Sequence, residues 1–160
     1  MSGFFTRGYA TSRLLSAKTC TTQLNCSSAT TSTTLTLVPG CQHVLQSGAT
    51  YIIEAHITGT ATANGGAKAT VGGVGGLTAT SFTLTGSNTN AGTTNAKTTT
   101  TTLGTAVGGS TAVLTDFILL GSIVVGVGGT LQLQFAQNAS HADISSVYVG
   151  SYLKITRVYP

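Results

Sequence analysis

Gly129-Thr130-Leu131-Gln132-Leu133-Gln134-Phe135-Ala136-Gln137-Asn138 is the stretch that decides the fold. Leu131, Leu133 and Phe135 fall on one side of an extended chain, with Gln132 and Gln134 on the other. That period of two suits a strand with one buried face and not a helix. Gly150-Ser151-Tyr152-Leu153-Lys154-Ile155-Thr156-Arg157 repeats the pattern, with Leu153 and Ile155 opposing Lys154 and Thr156. The chain therefore ends in a β-layer.

The same alternation extends upstream. Thr34-Leu35-Thr36-Leu37-Val38 is a short strand closed by a Pro39-Gly40 turn, and Tyr51, Ile53, Ala55 and Ile57 share one face of the next strand, with Ile52, Glu54 and His56 on the other. Further strands are predicted over 68–74, 77–84 (ending at Thr85-Gly86), 113–117, 118–125, 130–137 and 147–158. The apolar run 117–127 contains Gly121, Ser122 and Gly126, falls short of the roughly 20 residues a membrane helix needs, and reads as two buried strands around a Gly-Ser turn. Residues 87–102, with Asn88-Thr89-Asn90-Ala91-Gly92 and a tract of threonines, read as a solvent-facing loop leading into an extended strand. About 8–10 strands joined by glycine-rich turns make an all-β jelly-roll sandwich over residues 34–160.

Residues 1–33 differ. Aromatic and basic residues alternate with Thr and Ser, and no period persists, so an extended N-terminal arm that orders against a partner is predicted there. Arg7, Arg13 and Lys18 all precede the first acidic residue, Glu54. Three dilute cations supply too few phosphate contacts for nucleic-acid binding. The start, Met1-Ser2-Gly3-Phe4-Phe5-Thr6-Arg7, lacks a signal-peptide apolar run, and folding in a reducing compartment is expected.

Only 6% of the 160 residues are charged, about a fifth are Thr and 21 are Gly. A soluble monomer normally carries charge on about a quarter of its surface positions, so this neutral surface suits life within an assembly.

Candidate chemistry is sparse. The acids Glu54, Asp116 and Asp143 are far apart in sequence, and Ser140, His141 and Asp143 crowd into one polar turn where triad geometry is hard to reach. Gly72-Gly73-Val74-Gly75-Gly76 and Gly126-Val127-Gly128-Gly129 lack the Lys-Ser/Thr and helix of a phosphate loop; they read as hairpin turns or close backbone approaches. Cys20, Cys26 and Cys41 read as thiols; a zinc site with His43 has unsuitable spacing, and a Cys20–Cys26 disulfide has little support. No enzyme, metal or cofactor is expected.

GTLQLQFAQNAS followed by GSYLKITRV resembles the closing hairpin of small jelly-roll domains in tailed-bacteriophage structural proteins, whose shape is similar to C1q and tumour-necrosis-factor trimers. The early strand, Leu45-Gln46-Ser47-Gly48-Ala49-Thr50-Tyr51-Ile52-Ile53-Glu54-Ala55-His56-Ile57, fits the same family. The resemblance implies a homotrimeric decoration or cement protein on the outer surface of a phage head, bound to the major capsid protein. Phe4, Phe5, Arg7, Tyr9 and Arg13 would form the capsid-binding arm, and Phe135, Tyr148 and Tyr152 the trimer interface, with core burial the equal alternative for Phe135. The alternative is a tail fibre, spike or baseplate component with a receptor-binding tip. A cupin-type jelly roll is a third reading, with His43, His56, His141 and Glu54 as its only ligand material.

Overall fold

A computed structural model describes residues 12–20, 24–26, 33–61, 64–90, 97–110 and 114–158. These residues form β1 (Ser12–Thr19), β2 (Leu24–Cys26), β3 (Thr36–Leu45), β4 (Thr50–Thr60), β5 (Ala67–Val74), β6 (Ala79–Asn90), β7 (Thr98–Thr100), β8 (Val107–Ser110), β9 (Leu114–Val125), β10 (Gly129–Ala136), β11 (Ser145–Val147) and β12 (Tyr152–Val158). One sheet runs in the order β1-β12-β4-β9-β6-β7, with β11 bridging β4 and β2; the other runs β3-β10-β5-β8. All pairings are antiparallel.

The pairs β1 with β12, β3 with β10, β4 with β9 and β5 with β8 nest inside one another along the chain. That is a long hairpin rolled up on itself, the winding of a jelly roll. Its all-β sandwich architecture is as the alternation predicted. β6 and β7 are an added hairpin that widens the larger sheet beyond β9.

The core is made by the inward halves of the alternating strands. Tyr51, Ile53, Ala55 and Ile57 of β4, Leu119 and Ile123 of β9, and Leu153 and Ile155 of β12 meet Leu131, Leu133 and Phe135 of β10, all buried. Tyr51 retains a partner for its hydroxyl, which accepts the Gln46 N–H at 3.0 Å, as a buried phenol must.

Several boundaries differ from the sequence reading. Pro39 and Gly40 do not end a strand; β3 passes through them, and its register against β10 slips between Gln132 and Gln134. Gly40 adopts φ +84°, and β3 is an edge strand, where a proline without an N–H is tolerated as part of a bulge. Gly121 and Ser122 likewise do not make a turn. β9 continues through them because a Cβ at Gly121 would strike the Thr83 carbonyl of β6, so glycine there allows close strand approach.

β6 runs past Thr85-Gly86 to Asn90, and the last predicted strand is broken into β11 and β12 around Gly150, at φ +100°. The stretches likened to a closing hairpin, β10 and β12, lie in different sheets and do not pair. Within residues 1–33, Ser12–Thr19 forms β1 and Leu24–Cys26 forms β2. An edge strand is paired on one side only, and Lys18 and Thr19 of β1 are exposed, so no strict alternation marks it in the sequence.

Candidate functional site

The two outer faces of the sandwich differ in chemistry. On the smaller sheet, Gln42, Thr130, Gln132 and Gln134 of β3 and β10 face outward. On the larger sheet the register lines up three rows. Lys154, Glu54, Leu120 and Thr85 form one; Tyr152, His56, Ile118 and Ser87 the second; Thr156, Ile52, Ser122 and Thr83 the third. Ile52, Ile118 and Leu120 are 42%, 45% and 54% exposed near the middle of the sheet.

The polar groups around them are already partnered. Lys154 Nζ donates to Glu54 Oε2 at 2.5 Å. His56 Nε2 lies 3.2 Å from Asp116 Oδ1, which also accepts the Thr58 hydroxyl at 3.0 Å. The His56 and Tyr152 rings sit 6.0 Å apart, and the Thr85 and Thr99 hydroxyls are 2.9 Å apart. The face is thus electrically self-compensated, with apolar side chains left facing outward. Such a surface favours contact with another neutral, apolar surface over contact with a charged ligand.

The sequence-predicted interface residues separate. Tyr152 belongs to this face, half-buried beside His56. Tyr148 is exposed just past β11, its N–H bonded to Thr58 O at 2.8 Å and its hydroxyl 3.4 Å from Thr60 Oγ1. Phe135 requires a correction: it is buried on the inward face of β10, edge-on to Phe117 with ring centroids 6.3 Å apart, and so belongs to the core. Among the arm residues, Arg13 stands in β1 opposite Arg157. Phe4, Phe5, Arg7 and Tyr9 lie outside the described residues.

Sequence reasoning missed Ile52, Ile118 and Leu120. For Ile52 the signal was available, because it shares its strand face with Glu54 and His56 and therefore points away from the core.

The candidate chemical groups are dispersed. Glu54 pairs with Lys154 and Asp116 with His56, while Asp143 Oδ2 lies 3.1 Å from His141 Nδ1. His141 and Asp143 serve the loop after β10: buried Gln137 donates to Asp143 O and accepts the His141 N–H at 3.4 Å, and Ser145 Oγ donates to Gly66 O at 2.7 Å. Among the described residues, no group of three or more His, Cys, Asp or Glu side chains is placed to hold a metal. Nor is there among them a helix long and apolar enough to cross a membrane.

His43 points inward from β3 with Nε2 3.3 Å from Leu153 O. Burial holds its pKa below the ordinary 6.5, with Lys18 pushing the same way and the Leu153 carbonyl opposing. The unfolded chain therefore takes up a proton first as pH falls below about 6.5, and stability declines from there down to the folded-state pKa. The urea midpoint should be lower at pH 5 than at pH 7.5. A His43→Gln variant should show a smaller difference, and an identical difference would assign the acid sensitivity elsewhere.

Neither a protein-family model nor a curated protein sequence matches the chain.

Proposed function

We propose that this chain is a structural protein of a bacteriophage virion, a decoration or cement protein that binds the major capsid protein lattice as a homotrimer and stabilises the head. The observation that carries this reading is the outer face of the larger sheet, where Ile52, Ile118 and Leu120 are exposed among self-neutralised polar groups in a chain with only 6% charged residues. A lone soluble domain gains nothing from such a face. Three copies related by a threefold axis would bury it, and symmetry repeats each contact three times.

In this reading Tyr152 and Ile118 lie in the interface, and Tyr148 at its margin. Phe4, Phe5, Arg7, Tyr9 and Arg13 supply the contact with the capsid lattice, since aromatic and Arg side chains carry much of the energy in protein interfaces. The mechanism is mass action: a ligand that binds only the assembled shell stabilises that shell against the pressure of the packaged genome.

Because β1 is part of the sandwich, the informative truncation removes residues 1–11 alone. The truncated protein should keep the full-length protein's number of subunits yet fail to rebind particles that lack the native protein, as measured by co-sedimentation. Undiminished binding would remove residues 1–11 from the contact.

A further inference from the structure

Two buried thiols meet where the two sheets come together at one end of β1. Cys20 directly follows β1, and its N–H donates to Ser151 O at 2.7 Å. Cys41, on β3 of the opposite sheet, directs its sulfur at the same Ser151 oxygen, at 3.8 Å, and at Lys18 O, at 3.5 Å. Both side chains are buried, at 1% and 0% exposure. The Cys20 backbone and the Cys41 sulfur thus share one carbonyl oxygen, two hydrogen-bond lengths apart at most. The two thiols are also close enough for Cys20 to act electrostatically on Cys41, and a bond between them would need their Cα atoms about 4.4–6.8 Å apart.

We propose that Cys20 and Cys41 are a disulfide-forming pair which, when oxidised by a small-molecule disulfide such as glutathione disulfide, staples the edge strand β1 of the larger sheet to β3 of the smaller. One cysteine thiolate attacks glutathione disulfide, giving a protein–glutathione mixed disulfide and one glutathione thiolate. The second cysteine thiolate then attacks the protein sulfur, the intramolecular S–S bond forms, and a second glutathione leaves. Two protein thiols are oxidised and one disulfide is reduced to two thiols.

The closed fold keeps this reaction slow. Burial, with Cys20 close by, pushes the Cys41 thiol up to about 12, so at neutral pH it stays protonated and weakly nucleophilic. Exchange therefore proceeds through opening of β1, which among the described residues sits at the edge of its sheet with β12 as its strand neighbour. Once formed, the bond closes the loop between residues 20 and 41 and opposes that opening.

The test uses the full chain and a Cys26→Ser variant, each incubated with glutathione disulfide at mildly alkaline pH, alkylated and digested with chymotrypsin. Cleavage after Leu24 and Leu37 separates the three cysteines. The expected product is a Cys20–Cys41 linked peptide pair, two hydrogens lighter than the reduced peptides. In Cys26→Ser, oxidation should raise Tm by about 5–10 °C, reversibly with dithiothreitol. Linkage chiefly to Cys26 would overturn the proposal. So would two alkylatable thiols persisting in folded Cys26→Ser under conditions that oxidise the same variant in urea.

Discussion

If the chain is the proposed homotrimer, Leu120→Lys should convert a particle of three times its 16.0 kDa into a monomer, as read by light scattering on a sizing column. Leu120 lies in the row between Glu54 and Thr85 on the outer face of the larger sheet and is 54% exposed in the single chain. Association would remove its apolar surface from water, and a lysine there loses that gain and brings an unpaired ammonium into the contact. A loss of about 3 kcal/mol per subunit, roughly 9 kcal/mol over three, is about six orders of magnitude in the overall dissociation constant.

Val44→Lys is the control. Val44 is 75% exposed but belongs to β3 of the other sheet, so that variant should keep the parent mass. If Val44→Lys dissociates the particle and Leu120→Lys does not, the association face is the smaller sheet.

Phe135→Ala should act on folding. The ring is 2% exposed and edge-on to Phe117, so its removal leaves a cavity between the sheets as well as losing transfer free energy. The expected cost is about 3–5 kcal/mol, read from urea unfolding. Measuring it in the Leu120→Lys background separates folding from association. A change in oligomeric mass at unaltered monomer stability would return Phe135 to the interface.

Much of the fold was legible because a strand's period is short and local. Tyr51-Ile53-Ala55-Ile57 and Leu131-Leu133-Phe135 announce their buried faces without any tertiary knowledge. The errors came where a local signal has two meanings. Pro39-Gly40 and Gly121-Ser122 look like turns, but whether glycine marks a turn, a bulge or a close approach depends on the neighbouring strand, which the sequence does not name.

The candidate site was harder to read for a related reason. A continuous run such as Phe117-Ile118-Leu119-Leu120 implies burial on both faces. Here Phe117 and Leu119 enter the core while Ile118 and Leu120 face outward, and this distinction emerges only once β9 is placed between β4 and β6. For Phe135 an interface and the core compete as readings, and its alternation with Gln134 points inward.

Copy number in purified phage particles tests the virion reading most directly. Quantitative mass spectrometry of virus particles purified from the source that encodes this chain, referenced to the major shell protein, should on that reading find it in near-stoichiometric amount. A few copies per particle would move it to the tail or a single vertex, and its absence from the particle would contradict the account.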